Sequence, residues 1–361
     1  MESTRQITMI QAAAILVSTI IGVGVLALPL FAVRAANTGA PLVTFAAIVA
    51  AYGGLWIVTK LGLRFPDKSF VRYSETIIGR IPATVGSIMI ILFFAVLTSL
   101  ASREFGAVVV TSVLRETPLE VTVIVMLLLA AISTRHDMRT FSYIHLFYTP
   151  FLLMPGIIIV ALSLKNAESL YLQPVYGNMP PDFLGGLLTI AALFQGSFVM
   201  SLVIPKMRHP QKAIPAGLWG FAIAGGLYFM IVVATVAVFG PEEVKNLTWP
   251  TLELAKTTSL PANILERLDA AFLSIWVTAV FTTLFSSYYL TVHYLSDLLR
   301  LRDHRLFSWF VAPFVFLIAM LPQNVVMLYD VIVAVGRIGL ILTIVYPLFL
   351  LLVAMIRQLK G

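Results

Sequence analysis

Residues Ser18–Pro29 read STIIGVGVLALP and lie inside a long apolar run near the start of the chain. Gly22 and Gly24 stand two apart, and Pro29 follows. Glycine is the weakest ordinary helix former and proline lacks an amide donor. In lipid, however, a spanning segment must satisfy its own backbone. The stretch therefore poses a choice between a helix that packs closely through its glycines and one that breaks. A second stretch, LFQGSFVMSLVIP from Leu193 to Pro205, repeats the pattern, with Gly196 flanked by Gln195 and Ser197 and a proline several residues later.

The surroundings of both stretches are those of a membrane protein. Of 361 residues, 60% are hydrophobic and 11% charged, against about 45–50% and about 25% in ordinary soluble domains. A spanning helix needs roughly 20 mostly apolar residues, and the pattern predicts ten spans, at about 8–33, 40–61, 83–113, 119–134, 141–164, 183–204, 214–239, 268–297, 306–321 and 330–356. Between the second and third, Phe70, Tyr73, Ile77 and Ile81 recur at helical spacing among charges, predicting a short interfacial helix. With the N-terminus inside, 16 of the 24 basic residues fall on the cytoplasmic side, six fall opposite, and Arg103 and Arg337 lie within spans. The positive-inside rule then places both termini in the cytoplasm. The net charge of +7 is thus topological and gives no reason to expect a nucleic-acid partner. The first span is read as uncleaved. The absence of cysteine excludes disulfides and thiolate chemistry.

Cut near residue 170, the single transmembrane domain of residues 1–361 divides into five-helix halves, 1–170 and 171–361. An odd number of spans per half inserts the second half upside down, the arrangement of inverted-repeat transporters whose first helix in each half is interrupted. STIIGVGVLALP and LFQGSFVMSLVIP occupy those two positions. Glycines also let membrane helices pack closely, and the residues alone leave the two readings balanced. A broken helix would expose amides and carbonyls to a small zwitterion, its carboxylate meeting an amide-bearing helix start.

Five stretches spread along the chain carry a resemblance. They are TIIGVGVLALP (19–29), RETPLEV (115–121), PEEVKNLTWPTLEL (241–254), ERLDAAFLSIWVTAVFTTLF (266–285) and YDVIVAVGRIG (329–339). Together they resemble the B-type, permease-like subunit of bacterial spore nutrient germinant receptors, within the amino acid–polyamine–organocation superfamily. The resemblance implies an all-α, ten-helix LeuT-like fold, a 5+5 inverted repeat with helices 1 and 6 broken. It also implies the spore inner membrane as the location, and as partners an A-type subunit and a C-type lipoprotein. The ligand would be a small germinant, an amino acid in many relatives.

The same resemblance places a pocket between spans one, three, six and eight. Its candidate ligand-binding residues are Ser18, Thr19, Gly22 and Gly24 in span one, Leu97 as an apolar wall in span three, Gly196 and Ser197 in span six, and Thr283 and Ser287 in span eight. Thr283 and Ser287 are four apart, hence on one helix face, although such hydroxyls commonly bond to a carbonyl one turn back. Arg103, Glu104 and Arg337 are in-span charges that should face a cavity or a partner, with Arg103 read as a structural bridge. His145 and His293 look isolated. Many relatives carry a glutamate where this chain has Val199, and span five lacks the lysine that some proton-coupled relatives use. A cation held by span-one carbonyls and span-eight hydroxyls would lack an acidic ligand, so neither metal nor cofactor is expected. With no acid–base pair or nucleophile motif, the chain is not read as an enzyme. A sensor of a small nutrient is the first reading, and a secondary amino acid transporter of the same fold is the alternative.

Overall fold

The computed structural model describes residues 5–176, 183–257, 268–301 and 303–361. Arg267 and Arg302 of the charge count, and Glu266 of the quoted motif, lie outside the described residues. The chain is an all-helical, multi-span membrane protein. Its helices are α1 (Met9–Ile20), α2 (Gly24–Ala36), α3 (Ala40–Arg64), α4 (Phe70–Ile78), α5 (Arg80–Ser112), α6 (Leu119–Thr134), α7 (Met138–Ser163), α8 (Phe183–Ala192), α9 (Met200–Val203), α10 (Ala213–Val244), α11 (Pro250–Thr257), α12 (Leu268–Leu298), α13 (Arg305–Ala319), α14 (Val325–Leu340) and α15 (Tyr346–Ile356). Among the described residues six helical stretches are long and apolar enough to cross a membrane, and the pair Phe183–Ala192 and Gln195–Lys206, bent by 44°, makes a seventh. The shorter apolar helices α1, α6 and α13 run 10–17 residues.

Both glycine stretches are interruptions. α1 stops at Ile20 and α2 starts at Gly24. The second stretch passes from α8 through two turn residues into a 3-10 segment, Gln195–Val199, before α9. α1 sits in the middle of the molecule against α7, α10 and α12, and α5 packs along α12. Lipid-facing positions are apolar, as on α6, where Val121, Val125, Leu128 and Ile132 are exposed.

Local chemistry explains most of the ends. Thr8 and Gln11 form a capping box that starts α1, and Asp137 caps α7 through the Thr140 amide. The expected short helix is α4, with Phe70, Tyr73 and Ile77 buried as its inner face. Ile81 does not belong to that face. Gly79, at φ +86°, turns the chain between α4 and α5, and Ile81 falls in the next helix at 80% exposure. Only glycine takes that left-handed conformation without strain.

Candidate functional site

A helix interrupted inside a membrane leaves main-chain carbonyls without their usual donors, so the first question is what satisfies them. Thr282 Oγ1 donates to Ser18 O at 2.8 Å. Thr283 Oγ1 lies 3.1 Å from Thr19 O, 3.3 Å from Ile21 O and 3.5 Å from Ser18 O, one donor within reach of three acceptors. Tyr228 Oη, from α10, donates to Ile20 O at 2.7 Å, and Trp276 Nε1 approaches Gly22 O at 3.4 Å. Leu26 N reaches Val23 O, and Thr251 Oγ1 from α11 reaches Val25 O. Side chains of α10 and α12 thus supply donors at the break itself, Thr283 serving more than one carbonyl, and α11 supplies one just beyond it. This is the condition under which non-helical backbone persists at membrane depth.

The two breaks touch. A Cβ added at Gly196 would lie 3.0 Å from both Thr19 Cγ2 and Thr19 O, and one at Gly24 would lie 3.1 Å from Leu193 Cδ2. Gln195 anchors the second break by donating from Nε2 to Gly336 O on α14 at 2.5 Å. Between the breaks, α5, α12 and α14 lies a cavity of about 90 Å³. A water needs about 10–15 Å³ measured in this way, so the space suits a few waters or one small solute.

Seven of the nine expected residues line it: Thr19, Gly22, Gly24, Leu97, Gly196, Thr283 and Ser287. Ser18 and Ser197 do not. Ser18 faces α7, where its hydroxyl donates to Ala14 O at 2.7 Å and lies 2.5 Å from His145 Nδ1. Ser197 is rotated by its 3-10 turn toward a smaller neighbouring hollow beside Gly54 of α3. Gly196 contributes backbone, because a side chain there would press on Thr19 rather than enter the cavity. The Ser287 hydroxyl bonds to Thr283 O at 3.1 Å within its own helix and accepts from Thr98 Oγ1 at 2.8 Å.

His145 is not isolated. Its Nε2 lies 3.2 Å from Ser286 Oγ, and Ser286 Oγ lies 2.7 Å from Thr19 Oγ1 at the cavity wall. Ser18 and Ser286 thus flank the two ring nitrogens, and which of them donates follows from the imidazole tautomer. Through His145, Ser286 and Thr19 a hydrogen-bonded series joins α7, α12 and α1. His293 has ring neighbours instead, stacked on His304 at 3.9 Å and beside Tyr289 at 4.1 Å, while its Nε2 is buried without a hydrogen-bond partner among the described residues.

Arg103 ties α5 to the α13–α14 connection through Pro322 O at 2.8 Å, and Arg337 Nε reaches Thr189 Oγ1 at 3.2 Å. Glu104 is different. It lines the cavity, is 4% exposed, and its Oε1 is buried with no hydrogen-bond partner. Its neighbours on the cavity face of α5 are Leu97, Leu100 and Ala101, the i, i+3, i+4, i+7 stripe of a helix. Phe31, Thr189, Leu193 and Gly336 complete walls that sequence reasoning did not name. Leu193 and Gly336 stood in quoted stretches, but nothing local marked Phe31 or Thr189.

The family described as spore germination protein matches residues 6–328 of the chain. Spore germination protein YndE of Bacillus subtilis (strain 168) is 25% identical over 324 residues, covering 89% of this chain and 88% of that protein. Spore germination protein GerLB of Bacillus cereus is 24% identical over 349 residues, covering 95% and 93%. Among solved structures, Mhp1, a nucleobase-cation-symport-1 family transporter in a closed conformation with bromovinylhydantoin bound, superposes with a TM-score of 0.69. The match covers 95% of this chain and 78% of that one at 14% identity. It is a likeness of fold, the LeuT-like one.

Proposed function

The chain belongs to the spore germination protein family, and from that premise we propose that it is the membrane subunit of a germinant receptor that binds a small nutrient between its two broken helices. The observation that carries this reading is the cavity enclosed by Thr19, Gly22, Gly24, Gly196 and Thr283, where two interruptions meet. A ligand shifts a conformational equilibrium only by binding one state better than another. Two hinged helices around one space give it two states to choose between. α2 starts at Gly24 on the cavity wall, so its positive end suits a carboxylate, and an amino acid is the ligand this reading favours.

The arrangement proposed is ten spans in two inverted halves, 1–170 and 171–361. This takes α1 with α2 as one broken span, α3 as the next, α6 and α13 as short spans, and α14 with α15 as the last. Both termini face the cytoplasm, the membrane is the spore inner membrane, and an A-type subunit and a C-type lipoprotein are the partners. The test is nutrient-triggered germination of spores carrying this subunit and its cognate partners, across amino acids and sugars. The expected result is a response that Ala101→Phe, which fills the cavity, abolishes at unchanged subunit level. An unchanged dose response refutes the site. The likeness to Mhp1 favours a second reading, a secondary amino acid transporter. Concentrative, gradient-driven uptake of a labelled amino acid into reconstituted vesicles would establish it over the sensor.

A further inference from the structure

Glu104 has no counter-charge among the described residues. Its residue is 4% exposed, its Oε1 has no hydrogen-bond donor, and no ion pair among the described residues includes it. Arg103, the adjacent cation, is turned away to Pro322 O. The carboxyl stands seven residues beyond Leu97 on the same helix face, about 10 Å along the axis at 1.5 Å per residue. Phe31 of α2 and Ile332 of α14 add apolar groups to the same lining, and Phe31 packs edge-on against Tyr329 at 5.5 Å. Ionisable groups within spans are costly and persist where they pair with something. A buried carboxylate without a partner is the least favourable arrangement of all.

We propose that Glu104 is the recognition group for a protonated primary amine, so that the cavity takes compact amine-bearing solutes with the ammonium against Glu104 and the apolar body against Leu97, Leu100, Ala101 and Leu193. This rests on the cavity being the ligand site, as proposed above, and adds what the ligand must carry. An ammonium brings three donors and one positive charge, which is what Oε1 lacks. The remaining polar side chains are the hydroxyls of Thr19, Thr189, Thr283 and Ser287 and the amide of Gln195. They are neutral, so Glu104 alone makes charge a condition of binding. Small size is set by the walls.

The experiment is thermal melting of the purified full-length chain in detergent, followed by its five tryptophans. The probes are the twenty L-amino acids, the des-amino acid corresponding to each (propionate for L-alanine), inosine and glucose. At least one amino acid should raise the midpoint while its des-amino counterpart does not, and this comparison needs no variant. Glu104→Gln keeps the shape and removes the charge. It should melt close to the unaltered protein without ligand and require at least tenfold more of that amino acid for the same shift. Ala101→Phe should abolish the shift. If Glu104→Gln responds normally while Ala101→Phe does not, the carboxyl assignment falls and the cavity stands. If Ala101→Phe responds normally, the cavity reading itself falls. A des-amino acid, inosine or glucose that stabilises both the unaltered protein and Glu104→Gln equally overturns the proposal. So does a panel in which no amine stabilises the protein.

Discussion

Replacing Gly22 by alanine tests the geometry of the first break with a single methyl group. The added Cβ would lie 2.2 Å from Thr283 Oγ1, 2.7 Å from Thr283 Cβ and 3.0 Å from Thr283 Cγ2. Rotating the threonine side chain relieves the first and last contacts. It cannot move the Cβ, which is fixed to the backbone of α12. Ordinary contact begins near 3.4 Å, so the two main chains must separate by about 0.7 Å. Overpacking of this kind costs about 1–3 kcal/mol. Displacing Thr283 also removes the donor nearest Thr19 O, for about 1 kcal/mol more. The expected loss is about 2–4 kcal/mol, or about 4–8 °C in melting midpoint at about 2 °C per kcal/mol for a chain of this size. Thr283→Ala should not rescue the variant, because its Cβ remains. Thr283→Gly removes all three clashing atoms and should recover several degrees in the double variant, at a helix-propensity cost of about 1 kcal/mol. Melting of the four proteins in detergent forms a double-mutant cycle. A Gly22→Ala protein that melts within 1 °C of the original, or a double variant no better than the sum of the singles, would refute the reasoning.

Two further outcomes are expected. His145→Ala takes a hydrogen-bond partner from Ser286 and Ser18 and leaves a void beside Phe141 and Phe285, so it should cost about 3–5 kcal/mol; a chain that melts unchanged would mean that the network carries no stability. Hydrogen bonds from the Thr140 amide, and then from its hydroxyl, hold the exposed Asp137 carboxyl below the usual carboxylate range. A lowered folded-state value means that its contribution is complete above the ordinary value of about 3.9 and disappears as pH falls through the lower folded value. Asp137→Ala should therefore lower the midpoint by a constant amount between pH 5 and pH 8, equivalent to about 1 kcal/mol, and the gap should close below about pH 3.9. A gap that persists there would assign the effect to something other than the charged cap.

The breaks were legible because their cause is local: glycines and prolines interrupt apolar runs at Gly22–Gly24 and Gly196. Thr283 was legible for a related reason, since spacing within one helix fixes which residues share a face. At the breaks that periodicity ends. Ser197 adjoins residues of the cavity wall but points elsewhere, because the rotation of a 3-10 turn follows from what it packs on, not from 3.6-residue spacing; Ser18, still inside α1, is turned to α7 by its own place on that helix. Partners far along the chain were invisible for the same reason. His145 looked isolated because Ser18 and Ser286 lie 127 and 141 residues away. Glu104 was visible as a charge in a span, but that it stands unpaired at a cavity wall depends on α2 and α14 arriving beside it. Ile81 continued a correct pattern one turn too far, past a glycine whose conformation ends the helix.

The side-chain donors on the first break come from two separate helices, Thr282, Thr283 and Trp276 from α12 and Tyr228 from α10. A hinge restrained on both flanks does not yield gradually. Letting go of one flank strands carbonyls that only the other conformation, water or an incoming solute can serve. Half-open geometries are therefore the least favourable of all. A nutrient bound as proposed above would therefore have to be answered on both sides of the joint at once.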